Sequence, residues 1–226
     1  MKILVVGAGG VGASMASIAE TRSFFDSFVL ADISRERAEQ AIAELDDPGK
    51  FSAETVDAGN VAQLVALIER TKADVVVNAC DPRFNESIFE ACYQAKCSYM
   101  DMAMNLSKPH PTNPYNEVGT PLGEDQLNAH EQWKERGILA LVGMGVEPGL
   151  SDVFARYAAD HIFDEVHEIG VRDGSNLSID GFDFAPTFSI WTTIEECLNP
   201  PIVWEKNKGL YTTRWVDSNI PQWLSK

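Results

Sequence analysis

The chain has 226 residues and 45% of them are hydrophobic, which suffices for one large soluble domain or for one domain and part of a second. Its 34 acidic residues outnumber its 18 basic ones, and the formal net charge of −16 would repel nucleic acids and anionic membranes as partners. Four cysteines in a chain of this length do not suggest a disulfide framework, and neither a signal peptide nor a membrane-length apolar segment is visible, so we expect a cytoplasmic protein.

Strand and helix patterns alternate from residue 2 to about residue 142. This alternation predicts an α/β fold with a doubly wound parallel sheet, the Rossmann architecture, whose ligand lies at the carboxyl ends of the strands. Between the third and fourth strands, an apolar stripe from Val61 to Ile68 follows Asn60, a natural N-cap, and predicts a helix. The predicted strands are residues 2–6, 27–31, 53–57, 74–79, 98–101 and 138–142.

A glycine motif follows the first predicted strand and precedes the first helical stretch. Its spacing, Gly-x-Gly-x-x-Gly, is typical of a dinucleotide-binding turn. The first glycine allows a sharp turn, the second lets the backbone approach a pyrophosphate, and the third lets the helix lie close to the sheet. A glycine-rich turn without a ligand is the alternative interpretation. The residues predicted to hold the phosphates are Gly7, Gly9, Gly10, Val11 and Gly12.

An acidic residue ends the second predicted strand. Asp32 stands 20 residues beyond Gly12, where a carboxylate can accept hydrogen bonds from both ribose hydroxyls, which favours NAD over NADP. Ser34, Arg35 and Arg37 follow closely and could instead surround a 2′-phosphate, so NADP stays open as the cofactor. Asp32 could also serve only as the N-cap of the next helix.

The ends of the third and fourth strands supply further candidates for cofactor binding. Asp57 could approach the adenine, and the residues from Asn78 to Cys80 should line the ribose on the nicotinamide side. A helix cap or a loop polar group that is satisfied internally is an equal alternative for each of them. With the second-strand residues, the candidates beyond the glycine turn are Asp32, Ile33, Arg35, Asp57, Ala58, Asn78, Ala79 and Cys80.

The fifth strand ends at Asp101, close to the expected point of hydride transfer. A carboxylate there could act as an acid or base or steer an ammonium group, so we predict that Asp101 is catalytic and that Asn105 contacts the substrate. An aspartate that only caps a helix or pins a loop is at least as compatible with the sequence. The four histidines show no metal-ligand spacing, so no metal site is expected.

Two segments after the fifth strand interrupt the regular alternation. Residues 103–122 carry four prolines without helix or strand periodicity, and we interpret them as a lid or an oligomer contact. The turn Glu147-Pro148-Gly149 should begin a helix, and free backbone amides there could hold a substrate carboxylate. Alternatively, that turn only connects a strand to a helix and binds no ligand.

The remainder of the chain has a different character, which predicts a dinucleotide-binding domain at residues 1–150 and part of a substrate or dimerisation domain at 151–226. An amphipathic helix should begin at Leu150, and residues 166–172 resemble a half-exposed strand. The late tryptophans suggest an apolar surface that another layer or subunit covers, so we expect a homodimer. These tryptophans are Trp191, Trp204, Trp215 and Trp223.

Over nearly its whole length, the chain resembles the saccharopine dehydrogenase family. Many dehydrogenases share the glycine motif, whereas Gly145-Val-Glu147-Pro148-Gly149 before a helix is much more specific. Segments 161–168 and 182–190 are similar to the branch that includes carboxynorspermidine dehydrogenase. The other matching segments are 6–12, 56–58, 73–79 and 99–101.

The resemblance implies NAD(P)-linked oxidation of the CH–NH bond in a secondary amine derived from an amino acid, or the reverse reductive condensation. It places Asn78, Asp101 and the Glu147–Gly149 turn around the cofactor and an amino-acid-like substrate. Family members are usually far longer, so the chain looks truncated, and Asp32 replaces the Ser-Arg pair with which several relatives bind NADP. A non-catalytic NAD(P)-binding sensor or scaffold is the alternative function.

Overall fold

A computed structural model describes residues 1–171, 178–182, 194 and 202–213. Six parallel strands form one sheet in the order β3-β2-β1-β4-β5-β6, which confirms the predicted doubly wound architecture. The chain runs outwards from β1 through β2 to β3 and then crosses over to β4 on the other side of β1, so the carboxyl ends of β1 and β4 flank the crevice where such sheets bind ligands. The strands are β1 Lys2–Val6, β2 Ser27–Asp32, β3 Phe51–Thr55, β4 Val75–Asn78, β5 Ser98–Asp101 and β6 Ala140–Leu141.

Two strands differ from the sequence prediction by two residues at one end or at both. β3 ends at Thr55, because its pairing with β2 stops at Asp32 opposite Thr55, and this leaves Asp57 in the following turn. β6 has only two residues, since it lies at the edge of the sheet and pairs with β5 alone, through Tyr99 and Met100.

Helices connect the strands and cover both faces of the sheet. The predicted helix after Asn60 is confirmed, and the Asn60 side chain accepts a hydrogen bond from the Gln63 amide at 3.1 Å. A 3-10 turn at Pro82–Phe84 leads into the following helix. The helices of this region are α1 Gly10–Glu20, α2 Arg35–Ala43, α3 Val61–Thr71, α4 Asn85–Ala95, α5 Glu124–Asn128 and α6 His130–Glu135.

Successive residues of β1 point to opposite faces of the sheet and are all buried from Ile3 to Val6. Each face therefore has its own apolar core beneath a pair of helices, as expected for a parallel sheet covered on both sides. The core on the α3 and α4 side includes Leu4, Val6, Leu64, Leu67, Ile88 and Tyr99. The core on the α1 and α2 side includes Ile3, Val5, Ala16, Leu30 and Ala38.

The chain divides into two compact units. The first contains Met1–Asn105 and Gly123–Gly145, and therefore the whole parallel sheet. The second contains Leu106–Leu122 and Val146–Lys226, so the proline-rich segment belongs to it. Its described elements are α7 Leu150–His161 and a hairpin of β7 Ile202–Glu205 and β8 Gly209–Thr212.

The second unit corrects one prediction of secondary structure. No strand forms over residues 166–171; they are exposed, and no described strand pairs with them. An alternating sequence alone does not hold a strand without a partner. Trp204 lies on β7 with 67% of its surface exposed, whereas Trp191, Trp215 and Trp223 lie outside the described residues.

Candidate functional site

The glycine motif forms a tight turn between β1 and α1. Gly7 has a φ of +107°, and a Cβ atom there would lie 2.7 Å from the carbonyl oxygen of Ala79. A Cβ atom on Gly12 would lie 1.9 Å from the carbonyl oxygen of Gly7. Both positions therefore require glycine, because the turn and the helix approach the backbone too closely for a side chain.

The opposite side of the same turn is open. A Cβ atom on Gly9 or Gly10 would meet no atom within 4 Å, and Val11 is 48% exposed. Gly9 is the N-cap of α1, with no side-chain cap and no acidic residue in the first turn. The first amides of a helix lack acceptors within the helix, so this end of α1 has the space and the donors that a pyrophosphate needs.

A cavity of about 270 Å³ lies beside the turn, at the carboxyl ends of the first strands. It brings together eight of the residues that the sequence predicted for cofactor binding: Gly7, Gly9, Asp32, Ile33, Asp57, Ala58, Ala79 and Cys80. The other residues around it are Val6, Arg37, Val56, Asp81 and Phe84. Gly10, Val11, Gly12, Arg35 and Asn78 are not among the lining residues.

The two arginines of α2 have different surroundings. The Arg35 guanidinium donates to Glu39 at 2.7 Å on the helix surface, whereas Arg37 lines the cavity and lies 3.6 Å from an Asp32 oxygen. Arg37 was weighed in the sequence as a phosphate contact but was not among the predicted site residues. Its proximity to Asp32 depends on the orientation of α2 against the sheet, for which the sequence offered no signal.

Asp32 fastens the glycine turn to the end of β2. One carboxylate oxygen accepts the Ala8 amide at 2.8 Å, the other accepts the Ser34 amide at 3.0 Å, and the residue is 8% exposed. The N-cap of α2 is Ser34, whose hydroxyl accepts the Arg37 amide at 3.3 Å, so the alternative of Asp32 as the N-cap is wrong. Arg37 partly balances the charge of Asp32 on the cavity side.

A loop aspartate and a thiol also line the cavity. The Asp57 carboxylate accepts the Gly59 amide at 2.9 Å, which fixes the loop after β3. Burial, helped by the nearby Asp32 and Asp81 carboxylates, raises the pKa of Cys80 to about 12. The Cys80 thiol therefore stays protonated near neutral pH and lies 3.3 Å from the carbonyl oxygen of Val6.

Asn78 faces the protein interior and not the cavity. It is 2% exposed, and its side-chain oxygen accepts the Cys80 amide at 2.9 Å. Its side-chain nitrogen donates to Asn85 at 2.7 Å and to the Tyr99 hydroxyl at 3.2 Å. The Asn78 side chain therefore stabilises the backbone at the end of β4 from the interior of the protein.

Asp101 is also buried, with 1% of its surface exposed. Asn105 follows it closely and is 8% exposed; its amide donates to the Gln126 side chain at 2.8 Å, and its carbonyl accepts the Gly123 amide at 2.8 Å. The Asn105 side-chain oxygen has no partner among the described residues. The predicted contact of Asn105 with a substrate stays a prediction.

The Glu147-Pro148-Gly149 turn belongs to the second unit and precedes α7, as predicted from the sequence. Gly149 has a φ of +131°, and its amide donates to the Asp152 carboxylate at 3.0 Å. The Ser151 hydroxyl donates to Glu147. These contacts organise the start of α7, and the role of the turn in substrate binding stays a prediction.

Neither a membrane-spanning helix nor a cluster of metal ligands occurs in the described part of the chain. None of its helices is long and apolar enough to cross a membrane. Within the same ranges, no group of three or more histidine, cysteine, aspartate or glutamate side chains is placed to hold a metal ion.

Residues 3–141 match the family model described as the saccharopine dehydrogenase NADP binding domain. The chain belongs to the saccharopine dehydrogenase family. The matched residues include the glycine turn, Asp32, the cavity and Asp101, so this part is a domain of the kind that binds a nicotinamide dinucleotide.

Curated relatives match almost the whole chain. It is 35% identical to the carboxynorspermidine synthase of Vibrio alginolyticus over 92% of this chain and 51% of that protein. It is 34% identical to the carboxynorspermidine synthase of Vibrio cholerae over 98% and 55% of the two chains. A carboxyaminopropylagmatine dehydrogenase of Synechocystis is 31% identical over 86% and 46%. The chain therefore spans about half the length of the curated relatives it matches.

A solved structure has the same fold at low sequence identity. The apo saccharopine dehydrogenase (L-Glu forming) of Saccharomyces cerevisiae superposes with a TM-score of 0.55 at 14% identity, over 71% of this chain and 31% of that one. At this identity the match supports the fold alone.

Proposed function

We propose that this chain is the nucleotide-binding part of an NAD(P)-dependent oxidoreductase that acts on the CH–NH bond of a secondary amine derived from an amino acid. The observation that carries the proposal is the open N-terminus of α1 beside a cavity that Asp32, Arg37 and Asp57 line. The names of the curated relatives support an amine of the carboxynorspermidine type.

The residues of this chain have separate tasks in the proposal. The first-turn amides of α1 hold the pyrophosphate, Asp32 and Arg37 contact the adenosine ribose, and Asp57 lies towards the adenine. A bound nicotinamide dinucleotide supplies the hydride acceptor or donor. Catalysis then depends on how the protein orients the substrate and excludes water. The Glu147–Gly149 turn is the proposed contact with the substrate.

The ribose end of the cavity supports binding of NADP(H) as well as NAD(H). Asp32 would repel a 2′-phosphate if it stood alone, but Arg37 lies 3.6 Å from it and carries the compensating charge. The family model is named for NADP, which agrees with a cation at this position. We therefore propose Arg37 as the contact of the 2′-phosphate and Asp32 as the acceptor of ribose hydroxyls.

Turnover assays with two defined amines test the reaction class. Carboxynorspermidine and carboxyaminopropylagmatine would each be offered with NAD or NADP, while reduced nicotinamide is followed by absorbance. The proposal expects reduction of the cofactor with at least one of these amines and none without an amine. A folded protein that binds neither NADH nor NADPH in calorimetry would refute it.

Binding without turnover would favour the second candidate, a nucleotide-binding sensor or scaffold. The burial of Asp101 supports this candidate, because the predicted acid–base group does not reach the surface. Both the oxidoreductase and the sensor would bind the cofactor, so cofactor affinity alone does not distinguish them. Binding and turnover measured on the same preparation do.

The remaining assignments are also proposals. A homodimer is supported by large exposed apolar side chains on the second unit, among them Phe154 at 64% and Trp204 at 67% exposure. A cytoplasmic location is supported by the free thiols of Cys80, Cys92 and Cys97, since disulfides are rare in that compartment. We place the boundary between the dinucleotide-binding domain and the substrate or dimerisation domain near residue 150.

A further inference from the structure

A chain of buried hydrogen bonds runs beneath the carboxyl ends of β4 and β5. Its members are Asn78, Asn85, Tyr99, Asp101 and Gln126, none of them more than 5% exposed. Asn78 donates to the Tyr99 hydroxyl, which donates in turn to Asp101 at 2.9 Å. Gln126 donates to Asp101 from the other side at 2.7 Å. An unpaired polar group in the protein interior is costly, so the pairing within such a network matters. Among the described residues, the Asn85 side-chain nitrogen is the one atom of this network without a partner.

Asp101 is the acceptor on which this network converges. The described residues provide four donors for its two oxygens: the Tyr99 hydroxyl, the Gln126 amide group, and the backbone amides of Gly143 at 2.7 Å and Met104 at 3.1 Å. An ionised carboxylate has about four acceptor sites, so these donors fill its capacity. Because its acceptor sites are all occupied and it is 1% exposed, the Asp101 carboxylate has no oxygen available to accept a proton from a substrate.

The two backbone amides that donate to Asp101 belong to two different turns. Met104 lies in the turn after β5 and Gly143 in the turn after β6, and the Asp101 carbonyl also accepts the Met144 amide at 2.8 Å. Gln126 extends the connection, because its side-chain oxygen accepts the amide of Asn105. One carboxylate thus ties together two turns that are separated by about forty residues of chain.

The state of Tyr99 fits this arrangement. Burial and the adjacent Asp101 raise the pKa of the Tyr99 hydroxyl above its ordinary value, so the hydroxyl keeps its proton and acts as a donor to the carboxylate. The Tyr99 ring is held from the side by Phe89, at 5.2 Å between the ring centroids in an edge-to-face arrangement.

We infer that Asp101 is a positioning residue, and not the acid–base catalyst that the sequence suggested: it fixes the turns after β5 and β6 through the amides of Met104 and Gly143. The geometry alone carries this inference, whatever the amine. Asp101→Asn keeps the shape of the side chain but turns a nitrogen donor towards other donors. Adding Gln126→Glu places a carboxylate opposite that nitrogen and still accepts the Asn105 amide, so the double variant restores the hydrogen bond between residues 101 and 126.

Hydrogen exchange, read by mass spectrometry on peptides from the two turns, tests the inference without any substrate. Asp101→Asn should speed exchange at Met104 and Gly143 by about tenfold to a hundredfold, while β1 at the sheet centre stays unchanged. The double variant should return both turns to within about threefold of the wild type. Unchanged turns in Asp101→Asn, or a double variant that fails to restore them, would overturn the inference.

Two further measurements keep the inference testable under other outcomes. If Asp101→Asn does not fold, recovery of folding in the double variant supports the inference, and failure of both refutes it. The second measurement rests on the proposed function: the pH profile of turnover with carboxynorspermidine. Positioning predicts that both limbs of that profile persist in the double variant, whereas loss of a limb there would make Asp101 the acid or base. Absence of turnover in the wild type would refute the proposed function and leave the exchange result standing.

Discussion

Replacing Arg37 by alanine should convert the site from one that accepts a 2′-phosphate to one that rejects it. In NADP(H), the guanidinium would form charge-assisted hydrogen bonds with the phosphate, and losing them costs about 1.5–3 kcal/mol. That free energy corresponds to a rise of about 10- to 150-fold in the Kd for NADPH. The Kd for NADH should change by less than about threefold, because the Arg37 side chain is 60% exposed and solvent screens its 3.6 Å pair with Asp32.

Arg35→Ala is the matched control for this experiment. It removes the same charge from the same helix, but Arg35 is paired with Glu39 and does not line the cavity. Calorimetric titration with NADH and NADPH, at two salt concentrations, measures all three proteins. Equal losses for both cofactors in Arg37→Ala, or an unchanged ratio between them, would refute the assignment of the phosphate to Arg37.

Other changes test the turn, the core and the thiol. Gly9→Ala should fold normally, because its Cβ meets no atom within 4 Å, yet it should weaken NADPH binding at least about tenfold in the same titration. Gly12→Ala should lower the midpoint of thermal unfolding strongly, since its Cβ would lie 1.9 Å from a carbonyl oxygen; equal midpoints for the two variants would contradict the turn geometry. Leu64→Ala, at a fully buried position, should cost about 2–5 kcal/mol in urea unfolding, and a loss below about 1 kcal/mol would place this residue outside the core. Cys80, with its pKa raised to about 12, should react with iodoacetamide near pH 8 at least about a hundredfold more slowly than free cysteine, because the thiolate is the reactive form. Peptide mass mapping measures this rate, and a rate equal to that of free cysteine would refute the burial of the thiol.

Local patterns predicted much of the sheet. The apolar runs around β1, β2 and β4 gave the strands within one or two residues, because parallel strands buried on both faces are continuously hydrophobic. The helix after Asn60 was equally clear, since a cap and a stripe with helical spacing coincide. The pairing of strands depends on residues distant in the chain, which local patterns do not reveal. A strand-like sequence without a neighbouring strand to pair with was therefore predicted too long at β6 and wrongly predicted as a strand at 166–171.

The sequence by itself determined the glycine turn and its meaning. Gly7 and Gly12 are required by backbone approaches within a few residues of chain or to the adjacent strand, and such approaches leave a fixed spacing in the sequence. It also determined the residue types at the strand ends, including Asp32 and Asp101. These features predicted a nicotinamide dinucleotide domain, and the family match agrees with that prediction.

Only the tertiary structure decided which of these side chains line the cavity and which are buried away from it. Arg35 and Arg37 lie about 200° apart around α2, so the packing of that helix against the sheet selects Arg37 for the cavity. Asp101 is surrounded by donors from Gln126 and Gly143, which are distant in sequence and reach it only when the sheet has formed. The physical reason is the same in both cases: the direction and the partners of a side chain depend on contacts between elements, and the local sequence does not encode them.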